Sequence, residues 1–233
     1  MPRFTLVEQP EVAHILFDDG GMNLLSSDAL HELRALIEQL RANSRARRRL
    51  LTFRSSHARL FAAGADMAEM QRFTWSEANE FARVGQELFA EIERLPILTL
   101  AMIDGDCFGG ALDLVLAFDL RFATPRSRFS HPGARLGIAT GFGGTTRWRK
   151  AIDRAAARSL FLGNDVLTAA DAAEIGIVDR VFESLDESGP EIERLLTLDP
   201  RVTAMVKELS RHASRLSQRE LLLVSKRLRE IYS

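Results

Sequence analysis

The chain has 233 residues, 46% of them hydrophobic and 27% charged, with a formal net charge of −1. That is enough apolar material for one core, at roughly 150 residues per domain, with room for a small appendage. The balanced charge excludes a global field suited to nucleic acid or an anionic membrane surface. A single cysteine, Cys107, excludes an internal disulfide and fits a reducing, cytoplasmic setting. The opening stretch MPRFTLVEQPEV has no apolar run of signal-peptide length, and no segment stays apolar long enough to span a bilayer.

In chain order, FTLVE and VAHILFD (4–8 and 12–18) predict two short strands joined by a turn at Gln9-Pro10. DDGGMN at 18–23 is a turn cluster. Ser26 or Ser27 then caps a helix over 28–42, with Leu30, Leu33, Leu36, Ile37 and Leu40 on one face. Arg45, Arg47, Arg48 and Arg49 read as a solvated helix end, and LLTF at 50–53 as a buried strand. After a loop with Gly64, a helical segment begins near 66. Residues 76–95 form an amphipathic helix with Phe81, Val84, Leu88, Phe89 and Ile92 inward, ended by Pro96.

PILTLAMI at 96–103 predicts a strand, GDCFGG a glycine turn, and ALDLVLAFD at 111–119 a nearly all-apolar helix. LRFAT and SRFSH supply two more strands. GFGG at 141–144 opens a helix to about 150, followed by helices at 154–162 and 168–175, the last capped by Thr168. IVDRVF at 177–182 predicts a strand. From about 184 the chain is helical and charged, with Leu195, Val202, Met205, Val206 and Leu209 suited to a partner surface as much as to a core. Trp75 and Trp148 read as packing residues, and Cys107 as a small buried one. Strands alternating with helices predict an α/β layer fold with parallel strands.

Two strand-to-helix junctions carry chemistry: FAAGADMAEM at 61–70 and GDCFGGALDL at 105–114. Small residues there let a ligand approach the backbone. The first turn of each helix offers unpaired N–H groups and the positive end of a dipole. One junction alone is a generic anion site or a plain turn; two converging would stabilise an oxyanion. His14, His31, His57 and His212 lack metal-ligand spacing, so no metal is expected.

These segments resemble the signatures of the crotonase superfamily, the enoyl-CoA hydratase/isomerase family. MNLLSSDALHEL, FAAGADMAEM, GDCFGGALDLVLAFDLRFAT, RFSHPGARLGIATGFGGTTRW and LTAADAAEIGIVDRV match in order over about residues 4–185. The resemblance implies a spiral ββα core over 1–185 and a shortened helical region over 186–233. It implies an acyl-CoA thioester substrate, no cofactor beyond the CoA that the substrate carries, and a homotrimer or a dimer of trimers. The N–H groups of Ala65 and Gly110 would form the oxyanion hole. Ala63, Asp66 and Met67 would lie along the CoA. Asp113 falls where hydratases carry the first catalytic glutamate, and Gly133 where they carry the second.

Hydration across a double bond uses two carboxyl groups on one water, and Gly133 has no side chain to supply one. The resemblance therefore implies chemistry other than full two-carboxylate hydration: decarboxylation, isomerisation or C–C hydrolysis. Asp113 would be the acid/base and His131 its helper. A non-catalytic acyl-CoA-binding homologue is the competing reading. Asp119 resembles the family's buried aspartate at a helix end and is expected to be structural.

Overall fold

The computed structural model describes residues 2–42, 47–57, 59–163 and 165–211. Arg45 and His212, named above, lie outside the described residues. The first elements are β1 (Phe4–Glu8), β2 (Val12–Phe17), β3 (Leu24–Leu25), α1 (Ser27–Ala42), β4 (Leu50–Ser55), β5 (Leu60–Ala62) and β6 (Gly64–Ala65). Next come α2 (Met67–Met70), α3 (Trp75–Glu93), β7 (Leu98–Ile103), β8 (Asp106–Phe108), α4 (Gly110–Val115), β9 (Leu120–Ala123) and β10 (Arg128–Ser130). The chain continues through α5 (Gly144–Ala151), α6 (Arg154–Arg158), β11 (Leu167–Thr168), α7 (Ala169–Glu174), β12 (Arg180–Val181), α8 (Gly189–Leu196) and α9 (Pro200–Arg211).

A six-stranded sheet has the order β1-β2-β4-β7-β9-β12, and a four-stranded sheet the order β11-β10-β8-β5. All pairs in the large sheet are parallel except β1 with β2. Each turn of the spiral thus takes one strand in the large sheet, one in the small sheet and then a helix. Both β4 and β7 are interior strands of the large sheet and are buried along nearly their whole length, as strands covered on both faces are.

Phe53 is the hub of the core, with ring centroids 6.2 Å from Phe17, 5.8 Å from Phe61 and 5.6 Å from Phe118. Such tilted aromatic pairs add about 0.5–1.5 kcal/mol each beyond area burial. Asn23, at φ +50°, is fully buried, and its Nδ2 lies within donating range of Phe17 O, Ser55 Oγ and Phe61 O. Its side chain therefore ties the ends of β2, β4 and β5 together.

The structure departs from the sequence reading at several points. GDCFGG is not only a turn: its middle is β8, paired with both β10 and β5. The helix after it stops at Val115 rather than 119, and only Arg180–Val181 of IVDRVF is strand. The helix predicted over 154–162 is α-helical to Arg158, then a π turn over Ser159–Gly163. Trp75 is 84% exposed at the start of α3, next to the Thr74 cap, and is not the packing residue expected. Arg48 is not solvated: it is buried, pairs with Glu8 and donates to Leu40 O at 3.2 Å, closing the end of α1 against the sheet. Asp119 is structural, accepting from Thr99 N and Oγ1 at 2.8 Å each and pairing with Lys207 at 2.5 Å.

Candidate active site

The two glycine junctions meet. Gly64 has φ +102°, a conformation that favours glycine. A Cβ there would lie 2.6 Å from Phe108 O and 3.0 Å from Gly110 N. A Cβ on Gly110 would in turn lie 3.4 Å from Ala65 N. The two backbones therefore pass in close contact, a separation only glycine allows here. Gly109 precedes α4 at φ +53°, ψ −124°, with its N–H on Ser130 O at 2.9 Å. As N1 of α4, Gly110 has an N–H that no residue of its own helix can accept.

The first junction is held from below. Leu24 and Leu25 pair in parallel with Gly64 and Ala65. Ala63 N donates to Met22 O at 3.1 Å and Asp66 N to Leu25 O at 3.3 Å. The Asp66 carboxylate caps α2 by accepting from Glu69 N at 3.0 Å. Glu69 closes the loop onto α1 by accepting from Ser27 N at 2.9 Å.

Ala63, Ala65, Met67, Gly110, Asp113 and His131 line a common cavity of about 260 Å³. Asp66 is not among its lining residues; its carboxylate is committed to the cap. Asp113 sits one turn into α4 and is 1% exposed. Thr140 Oγ1 donates to its Oδ2, and Trp148 Nε1 donates to its Oδ1 at 3.4 Å. Gly144 leaves room for this carboxylate, because a Cβ there would lie 1.8 Å from Oδ1. Trp148 is thus buried, as its apolar ring suggests, and also serves the carboxylate. Sequence reasoning missed Thr140; its only signal was a hydroxyl placed just before the GFGG turn.

His131 Nε2 lies 3.6 Å from Asp113 Oδ2, too long for a hydrogen bond. Neither ring nitrogen has a hydrogen-bond partner among the described residues, although His131 is 4% exposed. Its ring packs on Phe161 at 4.7 Å. Leaving buried polar atoms unpaired is costly, so these two nitrogens call for a partner that the described residues do not supply. Gly133 is closed as well as bare: a Cβ there would lie 2.7 Å from Ile138 O and 3.1 Å from His131 Cε1. Cys107, behind α4, is fully buried; desolvation first, then the charges of Asp113 and Asp106, pushes its thiol far up, so it stays protonated.

Known proteins share the sequence pattern and the fold of this chain. The model of the family described as enoyl-CoA hydratase/isomerase matches residues 8–230. A crotonyl-CoA hydratase of Syntrophomonas wolfei is 32% identical over 192 residues, covering 82% of this chain and 73% of that protein. A short-chain-enoyl-CoA hydratase of Clostridium acetobutylicum is 32% identical over 163 residues, covering 70% of this chain but only 62% of its own length. Among solved structures, Pseudomonas aeruginosa DspI superposes with a TM-score of 0.91 at 25% identity, covering 100% of this chain and 96% of that one. An enoyl-CoA hydratase from Bacillus anthracis superposes at 0.87 with 25% identity, covering 99% and 92%. With its family signature matched over most of its length, on the same spiral fold, the chain belongs to the enoyl-CoA hydratase/isomerase family.

Proposed function

We propose that the protein binds an acyl-CoA thioester and moves a proton at the carbon next to the thioester carbonyl. The carrying observation is the contact of the Gly64–Ala65 and Gly109–Gly110 backbones beside buried Asp113. The N–H groups of Ala65 and Gly110 form an oxyanion hole for the thioester oxygen. Each donor of this kind contributes about 2.7–4 kcal/mol of transition-state stabilisation. Both are main-chain groups, so they survive side-chain divergence. Ala63, Asp66 and Met67 form the loop along the CoA, with Asp66 acting by shaping α2. CoA arrives with the substrate, and no further cofactor takes part.

Asp113 is the acid/base. It removes the α-proton as the enolate charge develops on the oxygen held by the two N–H groups, and it returns the proton to the substrate. Its orientation is set by Thr140 and Trp148. His131 is the helper, 3.6 Å away and free to accept or donate at either ring nitrogen. With position 133 closed, hydration has no second carboxylate to hold its water. Single-base chemistry, such as isomerisation of a 3-enoyl-CoA or decarboxylation, suits this pair better. The cytoplasm is its proposed setting, and a homotrimer its proposed assembly, in which the exposed Val202 and Val206 of α9 meet a neighbouring surface.

The test is a panel of crotonyl-CoA, methylmalonyl-CoA and a 3-enoyl-CoA, followed for products and for binding. Isomerisation or decarboxylation with slow hydration supports the reading. Tight binding without turnover of any thioester leaves a non-catalytic acyl-CoA binder. Failure to bind any of them overturns both.

A further inference from the structure

The site cavity shares a wall with a larger one. His131, Ile138, Ala139 and Thr140 line the 260 Å³ cavity and also a second of about 840 Å³. Small-molecule pockets run to about 300–1,000 Å³; the first cavity falls short of that range and the second lies within it.

The floor of the second cavity is apolar, built by Trp148, Ile152 and Phe161, and three exposed arginines, Arg149, Arg154 and Arg158, also line it. Their spacing explains the convergence. Arg149 follows Thr145 by four residues on α5, and Arg154, Ala157 and Arg158 fall on one face of α6. None of the three guanidiniums has an ion pair or side-chain hydrogen bond among the described residues. The acid among the lining residues, Asp153, is spent on the cap of α6, accepting from Ala155 N at 2.7 Å and Ala156 N at 2.8 Å. In the shared wall stands His131, 4% exposed, with neither ring nitrogen hydrogen-bonded among the described residues. An apolar floor under three unpaired cations complements a ligand with an apolar body and an anionic end.

We propose that the distal part of the acyl group passes from the Asp113 cavity beside Ala139 into this second cavity. There it ends in a carboxylate held by Arg149, Arg154 and Arg158. The substrate class is then a dicarboxylic acyl-CoA, a thioester at one end and a free carboxylate at the other. This rests on the acyl-CoA reading above.

The test is binding rather than turnover, on the full chain. Suberoyl-CoA is compared with octanoyl-CoA, and adipoyl-CoA with hexanoyl-CoA, by titration calorimetry at physiological ionic strength, with free CoA as a third ligand. At least one carboxylated thioester should bind tenfold or more tightly than its neutral counterpart, which is about 1.4 kcal/mol. The double variant Arg154→Ala/Arg158→Ala should erase that preference while leaving octanoyl-CoA and free CoA unchanged. Equal affinity within both pairs overturns the proposal. So does a double variant that weakens free CoA and octanoyl-CoA as much as the carboxylated ligands, because the arginines would then serve the CoA phosphates. Binding of none of the thioesters overturns the acyl-CoA reading itself, a result distinct from binding without preference.

Discussion

Asp113 Oδ2 and His131 Nε2 lie 3.6 Å apart in the floor of the site, with Thr140 donating to the same carboxylate oxygen. This pair stands where a second carboxylate has no room. The pair consists of one carboxylate, oriented by two neutral donors, and an imidazole without a hydrogen-bond partner among the described residues.

Removing the carboxylate should remove turnover with little loss of binding. For Asp113→Asn we expect kcat to fall by about 10²–10⁴, the usual contribution of a positioned acid or base. Thr140→Val keeps the shape but loses the O–H donor, and should lower kcat about tenfold with KM unchanged. Steady-state kinetics on the active thioester, with a melting curve for each variant, checks both. Unchanged kcat in Asp113→Asn would show that the carboxylate is structural.

Restoring a glutamate at position 133 should not create a hydratase. A Cβ there would stand 2.7 Å from Ile138 O, so the backbone must shift before any side chain reaches the site. We expect Gly133→Glu to lower the melting temperature without raising crotonyl-CoA hydration. A gain in hydration would refute this.

The paired glycine junction leans on a residue far away in sequence. The Phe142 ring packs against both Gly85 of α3 and Gly110 of α4, where added Cβ atoms would lie 2.2 Å and 2.9 Å from it. Gly85→Ala should help an isolated helix by up to about 1 kcal/mol, but overpacking costs about 1–3 kcal/mol. Net destabilisation is expected, together with a fall in kcat/KM as the ring is pushed on Gly110. A melting temperature that rises would show that the ring moves freely.

Stability should weaken on mild acidification. Burial first, and the Arg54 charge second, lowers the pKa of His14 from its ordinary 6.5. The unfolded chain then binds the proton more readily than the folded one, so stability rises with pH between the folded and unfolded pKa values. The contribution is complete above about pH 6.5 and is lost as pH falls below it. Denaturant melts of the wild type and of His14→Gln between pH 7.5 and 5 should show a shallower slope in the variant.

Much of this was determined by local sequence. Apolar spacing marked α1 and α3 with their buried faces, because a helix face repeats every 3.6 residues whatever it packs on. Glycine and alanine at 62–65 and 109–111 marked two places where backbone could be approached, because only small residues permit it. The ordered signatures point to Ala65, Gly110, Asp113 and His131 as one group, and these four line one cavity. What lay beyond reach were relations closed by long-range contact. Strand Asp106–Phe108 exists because β5 and β10 flank it, and a run of that length carries no periodicity of its own. Trp75 and Arg48 exchange the expected inside and outside because burial depends on what arrives from elsewhere: none of the described residues buries the first, while α1 and Glu8 close over the second. The closure of position 133 by Ile138, the Thr140 hydroxyl on Asp113, and the arginines gathered over a second cavity belong to the same class. Each depends on where segments apart in sequence meet, which only the packed chain decides.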